Sequence, residues 1–197
     1  RGIAVASDGS VYVADTSSDR IQKFTSEGLF VSKWGSIRNG TDDGQFSSPI
    51  GVAVASDGSV YVADSGNRRI QKFTSAGVFV SKWGTEGSDD GEFLSPRDVA
   101  VASDGSIYVA DTANNRIQKF TSDGYFLMNF SSHGNHSISL PWGLTADIHD
   151  NIYVADWGND TIRKFSPDGL LLASFGTSGN NDGEFCRPSS VSVDNDG

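Results

Sequence analysis

Cysteine is almost absent. Cys186 stands alone in the chain, so no internal disulfide can form, and cysteine usage leaves the cellular compartment open. Long apolar runs are missing too. The longest, GLLLAS around Leu171, is far too short to cross a bilayer, so no membrane insertion is expected. No stretch carries a helical period. Ser, His and Asp are all present, but no G-x-S-x-G nucleophile motif accompanies them, and no catalysis is expected. Cations are scarce: 15 Lys and Arg face 25 Asp and Glu, for a net charge of -10. Binding to a phosphate backbone needs clustered cations, so no nucleic-acid partner is expected. The acidic balance fits a soluble surface that attracts cations.

What the chain has is repetition. IGVAVASDGSVYVADSGNRRIQKFTSAGVFVSKWG begins at Ile50, and the segment beginning at Arg1 copies it almost word for word. Related segments begin at Arg97 and Trp142. Asp15, Asp64, Asp111 and Asp156 hold one repeat position; Phe24, Phe73, Phe120 and Phe165 hold another. Pro49, Pro96, Pro141 and Pro188 close the units. Self-similarity at a period of about 47 residues marks a repeat architecture. The units run 1–49, 50–96, 97–141 and 142–188, with a partial fifth at 189–197, and no linker interrupts them, so one domain is expected. The chain starts inside a repeat and stops on a turn, and both ends are expected to be boundaries of a fragment.

Each unit reads as four short strands. GVAVA ends at SDGS, a turn sequence. SVYVAD follows, with Val60 and Val62 on one face and Tyr61 and Ala63 on the other. RIQKFT alternates again, and VFVSKWG suits an outer edge through its Ser and Lys. A long Gly- and Asp-rich loop then leads to the next unit, carrying an apolar anchor three residues before the Pro: Phe46, Phe93, Ile138 or Phe185. The fold class is therefore all-β, built from four-stranded antiparallel meanders. Such sheets bury both faces only by stacking on copies of themselves, radially as a propeller or linearly as a solenoid. The long return loop favours the propeller.

The pattern GxAVxxDGxxYVAD, then N-x-R-I-x-x-F, then DGxF, WG and a closing DGxF with Pro, resembles the NHL repeat over essentially the whole chain. The resemblance implies a β-propeller, usually of six blades. Four are complete here, which leaves three arrangements open: further blades in the same chain, blades from another chain, or a smaller propeller. It also implies a binding platform, since NHL propellers commonly serve as one. RNA binding within the family needs a basic face, whereas the loops here carry Asp42, Asp43, Asp89, Asp90 and Asp182.

Candidate site residues come mostly from departures from the repeat, because identical positions describe the fold and differing ones can describe a site. In a propeller, the connections between blades and the loops joining second to third strands share one face, and the first residue of each unit lies near the channel mouth. That position holds Arg1, Ile50, Arg97, Trp142 and Ser189. Trp157 replaces the Ser or Thr of the equivalent loops. Arg97, Asp98, His133, His136, Trp142 and Trp157 are thus expected to gather on one face and bind a protein or glycan, since exposed aromatics beside polar groups mark binding. The alternative is that the tryptophans fill a gap between blades. The repeated Asp residues are expected to pair with Arg20, Arg69 and Arg116; Thr161 replaces that Arg in the fourth unit, so Asp156 is expected to lack its partner. The loops around Asp42, Asp89 and Asn181 look slightly like calcium loops but lack the required spacing, so no cofactor is expected, with calcium as the alternative. His133 and His136 raise a zinc-dependent lyase, a chemistry found in some NHL-like propellers. A structural assembly, with self-association through incomplete propeller ends, is a further alternative. Sequons at Asn39, Asn129 and Asn135 are candidate glycan carriers on an extracellular or secreted chain, whereas Asn159 is expected to be structural.

Overall fold

The period-two alternation of each repeat is realised as one antiparallel sheet per repeat in a computed structural model, which describes residues 2–35, 38–133 and 136–194. Blade 1 comprises β1 (Ile3–Val5), β2 (Val11–Asp15), β3 (Arg20–Phe24) and β4 (Phe30–Gly35). Blade 2 comprises β5 (Pro49–Val54), β6 (Val60–Asp64), β7 (Arg69–Phe73) and β8 (Phe79–Trp83). Blade 3 comprises β9 (Pro96–Val101), β10 (Ile107–Asp111), β11 (Arg116–Phe120) and β12 (Phe126–Phe130). A short antiparallel pair follows, β13 (Ser132–His133) with β14 (His136–Ser137). Blade 4 comprises β15 (Pro141–Ala146), β16 (Ile152–Asp156), β17 (Thr161–Phe165) and β18 (Leu171–Phe175), and the loop after it holds a short parallel pair, β19 (Thr177–Ser178) with β20 (Glu184–Phe185). Hydrogen-bonded neighbours within each blade are consecutive in sequence, so all four blades are meanders. In blades 2 to 4 the first strand starts on the Pro itself, a place where the missing N–H costs little.

Local chemistry explains the turns. In blade 2 the Asp57 carboxylate accepts the Ser59 N–H at 2.8 Å, and Gly58 takes the left-handed backbone. Asp8 and Asp104 repeat the device with Ser10 and Ser106. Between second and third strands the chain makes one turn of 3-10 helix, as at 65–67, and leaves it through a left-handed residue.

Two compact units are present, 1–99 and 100–197, the division falling inside β9. In the first, Val60, Val62 and Phe73 of blade 2 pack against Tyr12, Ala14 and Ile21 of blade 1, with Phe46 from the connecting loop among them. Phe46 and Phe73 are 0% exposed with ring centroids 5.5 Å apart, and each contributes roughly 1.5–3 kcal/mol by burial. Gly35 makes room for this anchor: a Cβ there would stand 2.6 Å from Phe46 Cδ2. In the second unit, Ile152, Val154 and Phe165 of blade 4 meet Tyr108, Ala110 and Ile117 of blade 3, with Ile138 in the anchor position. At the innermost strands the backbones come close. A Cβ on Gly51 would lie 2.6 Å from Asp98 Cα, and one on Gly143 would lie 2.9 Å from Ser190 Cα, so the start of the fifth unit meets blade 4 as blade 3 meets blade 2.

Candidate functional site

The connections between blades and the 3-10 turns meet, as a propeller requires. Thr16 Oγ1 donates to the Pro49 carbonyl at 2.7 Å and the Gly66 N–H to Ser47 at 2.8 Å. In the second unit Thr112 Oγ1 donates to Pro141 at 2.6 Å and the Gly158 N–H to Ser139 at 2.8 Å.

Beneath these loops lie the repeated carboxylates. Arg20, Arg69 and Arg116 reach Asp15, Asp64 and Asp111 through Nε at 2.7, 2.8 and 3.0 Å. Asp156 departs from expectation: it does not lack a partner. Arg163 Nε lies 2.6 Å from Asp156 Oδ2, in the place where blades 1 to 3 carry Gln22, Gln71 and Gln118. Residues two apart on a strand share a face, so moving the arginine from position 161 to 163 keeps its guanidinium on the carboxylate's side. Burial pushes the Asp64 and Asp156 carboxyls up, against the hydrogen bonds and cations that favour their charged forms. Asp15 is pulled down instead, chiefly by its hydrogen bond from Arg20.

Trp142 and Trp157 come together. Their ring centroids are 5.3 Å apart with planes inclined at 36°. Trp142 stands on β15, and Trp157 opens the 3-10 turn at 157–159. Both are half-buried. The exposed Arg187 lays its guanidinium over Trp157, 4.7 Å from the ring centroid, an attractive arrangement of cation and π face. Asp160 holds this arginine in place: one carboxylate oxygen accepts the Arg187 N–H at 2.7 Å and the other accepts the Ser178 hydroxyl at 2.7 Å. Those two bonds, the Arg187 N–H first, lower the Asp160 carboxyl. Arg187 was not among the residues expected from sequence. The signal was present, because it occupies the slot before Pro where Ser48 and Leu140 stand, all three with positive φ.

Arg97 and Asp98 lie on β9 in the first unit, Asp98 taking the position of Gly51 and Gly143, with its carboxylate accepting the Val99 N–H at 3.0 Å. Arg1 lies outside the described residues. His133 and His136 pair in register across β13 and β14. Gly134 and Asn135 between them lie outside the described residues, so the Asn135 sequon does too. Asn39 and Asn129 are exposed. Asn159 is tied down, its amide donating to Asp156 and to the Ser137 carbonyl at 2.8 Å each. The three loops that look like calcium loops are closed from within: the N–H groups of Asp42, Asp89 and Asn181 donate to the side chains of Gln45, Glu92 and Glu184. Among the described residues no group of three His, Cys, Asp or Glu is placed to hold a metal ion.

A second polar cluster belongs to blade 4. Asp147, 5% exposed, accepts the N–H groups of His149 and Asn151 at 2.9 Å each, the Asn151 amide, and the Lys164 ammonium at 3.2 Å. Burial opposes ionisation, but these donors outweigh it and bring the carboxyl down to about 2. Lys164 in turn lies over the Tyr153 ring at 4.8 Å.

The NHL repeat model matches residues 1–24, 46–73 and 93–120, each match spanning an inner strand or its Phe anchor through to the third strand. These three repeats match the NHL repeat, consistent with an NHL-repeat propeller. The fourth repeat, outside those matches, is the one that carries Thr161, Arg163 and Trp157. No curated protein matches the chain. Solved structures with the same fold include a catalytically inactive variant of virginiamycin B lyase from Staphylococcus aureus with quinupristin, 19% identical at a TM-score of 0.71 over 95% of this chain and 57% of that one. A streptogramin B lyase is 20% identical at a TM-score of 0.69 over 94% of this chain and 61% of that one. A protein of unknown function from Bacteroides caccae is 15% identical at 0.64 over 88% of this chain and 59% of that one. The chain therefore spans less than two thirds of each. The expectation that it is not an enzyme is overturned by these neighbours, because lyases share its fold. A missing G-x-S-x-G motif excludes one nucleophile arrangement, and fold does not decide between catalysis and binding.

Proposed function

We propose that this NHL chain recognises a ligand on the loop face of blade 4, with the Trp142–Trp157–Arg187 cluster as the recognition element. One observation carries the reading: two half-buried indoles pack against each other beneath an exposed guanidinium. An aromatic shelf with a cation beside it suits a glycan or protein segment that offers a flat apolar face next to an anionic group. The exposed sequons Asn39 and Asn129 support an extracellular setting. Titrating the chain with a panel of glycans while following tryptophan fluorescence tests the proposal. Ligands that quench the wild type are expected to lose at least tenfold in affinity on Trp157→Ser; undiminished binding would remove the cluster from the site.

A second reading, lyase chemistry, is favoured by the virginiamycin B and streptogramin B lyases among the solved neighbours. Incubating the chain with quinupristin, with and without divalent metal, and following the compound by mass spectrometry tests it. Enzyme-dependent conversion supports the lyase reading, and unchanged compound under both conditions rejects it for this substrate.

A further inference from the structure

The chain holds one Asn-Gly pair, Asn39–Gly40, in the loop between blades 1 and 2. Asparagine is most reactive in this context, because glycine puts no side chain in the way when its backbone nitrogen attacks the preceding carboxamide. Position 40 must nevertheless be glycine. A Cβ there would stand 2.6 Å from Gln45 Cβ, just as one on Gly87, its counterpart in the next loop, would run into the Glu92 carboxylate. Both glycines donate their N–H to the anchor phenylalanine, Gly40 to the Phe46 carbonyl at 3.0 Å and Gly87 to the Phe93 carbonyl at 3.1 Å. The residue before them differs: Asn39 in one loop, Glu86 in the other. Of the two loops, only the first sets a carboxamide next to the obligatory glycine.

The seated loop holds the reaction off. Gly40 is buried, and its nitrogen faces the Phe46 carbonyl. Its own carbonyl accepts the Asn67 amide at 2.8 Å. Asn39 is exposed but fixed: its φ is 52°, its N–H donates to Asp19 Oδ2 at 3.2 Å, and its side-chain oxygen accepts the Ser47 hydroxyl at 3.2 Å. Nucleophile and carboxamide are thus committed to different partners. They meet only when the loop lifts, a local opening that draws the fully buried Phe46 out of the core.

We infer that Asn39 is a self-modifying site gated by the joint between blades 1 and 2. When the loop lifts, the Gly40 nitrogen bonds to Asn39 Cγ, the Cγ–Nδ2 bond breaks, and Nδ2 leaves as ammonia with the Gly40 proton. Water then opens the succinimide at either carbonyl and leaves aspartate or isoaspartate at position 39. Both products seat poorly. Each adds a carboxylate beside that of Asp19, which already accepts the N–H groups of Asn39 and Ser48, and like charges so placed repel. Isoaspartate also lengthens the backbone by one carbon, so Gly40 no longer meets Phe46 and Asn67 together. The site is therefore a one-way record: a loop that stays seated keeps its asparagine, and a loop that has opened is converted and does not close as before. A glycan at this sequon would take the same Nδ2, so the two modifications exclude each other.

The test uses the 197-residue chain made in a host that adds no glycan. Folded and guanidinium-unfolded samples are held at mildly alkaline pH, and peptide mapping by mass spectrometry follows residue 39, with aspartate and isoaspartate separated by chromatography. The unfolded chain is expected to convert Asn39 ahead of every other asparagine, and the folded chain to convert it at least about tenfold more slowly, by a factor set by how rarely the loop opens. Asp19→Ala removes the acceptor of the Asn39 and Ser48 N–H groups and is expected to raise the folded rate about threefold or more. Ser47→Ala, which releases only the Asn39 side chain, is expected to act in the same direction and serves if Asp19→Ala does not fold. Converted chain, refolded and separated by its extra negative charge, is expected to be cut by trypsin after the exposed Arg38 faster than unconverted chain. Equal rates in the folded and unfolded chain overturn the gate, as does a folded rate that neither substitution moves. An unfolded chain that keeps Asn39 overturns the site, and converted chain cut no faster overturns the one-way record.

Discussion

Blades 2 and 4 reach the same four-stranded sheet with different polar anchors. In blade 2, Asp64 pairs with Arg69, Asp57 closes the first turn, and Gly58 supplies the positive φ. In blade 4, Asp156 pairs with Arg163, Asp147 closes that turn from the position of Ala55, and Asp150 adopts the positive φ that Gly58 has in blade 2. Asp150 also reaches out, accepting the N–H and hydroxyl of Ser103 at 2.6 and 3.0 Å. The sheet thus demands a cation on the carboxylate's side and an acceptor at the turn, not a given residue at a given number. A blade relieved of the exact repeat can carry Trp157 where the others carry Ser or Thr.

The comparison breaks hardest at the buried pair. Arg163→Gln writes the blade-2 residue into blade 4 and leaves Asp156 buried opposite Thr161, at an expected cost of about 3–5 kcal/mol. The measurement is the urea midpoint followed by tryptophan fluorescence. Adding Thr161→Arg, which completes the blade-2 pattern, is expected to recover most of that loss. A neutral Arg163→Gln would show that the guanidinium is not what balances the carboxylate.

The turn comes next. The folded Asp147 carboxyl is held at about 2 against an ordinary 3.8. A depressed acid stabilises above its unfolded value and loses that contribution as pH falls through its folded one, so about 2 kcal/mol is fully present above pH of about 4 and vanishes toward pH of about 2. Asp147→Asn is expected to be less stable than wild type by about that amount at neutral pH, with the gap closing on acidification. A gap that persists at low pH would assign the effect to packing.

The smallest effect on stability is expected from Trp157→Ser, again the blade-2 residue. Half-buried and outside both hydrophobic cores, Trp157 should cost under about 1 kcal/mol to replace, read in the same urea titration. If the proposed site is right, stability and ligand affinity are expected to separate at this position.

Much of the fold was legible because its signals are local and repeated four times: alternation ending in YVAD, Asp-Gly turns, and a Phe or Ile three residues before the Pro that closes each unit. The candidate site was legible only in part. Trp142 and Trp157 declared themselves as departures from the repeat, and they do meet. Arg187 was hidden because a single arginine before a Pro carries no period, and its place over Trp157 depends on Asp160 bonding its N–H. Arg163 was hidden for a related reason. A reading that aligns repeats column by column sees Thr161 as a lost arginine, whereas the strand sees two neighbouring positions on one face. Arg97 and Asp98 belong to the first compact unit and the tryptophans to the second.

The exchanged arginine also constrains the order in which such a blade can diverge from its siblings. Between the Arg69–Gln71 pattern and the Thr161–Arg163 pattern lie two single-step intermediates. One carries arginine at both positions and keeps the buried carboxylate balanced throughout. The other carries none and leaves an uncompensated charge in the interior. A blade copied from the common repeat would therefore gain its new arginine before giving up the old one. For anyone redesigning a blade, the same order makes the two-arginine form the safe way-station.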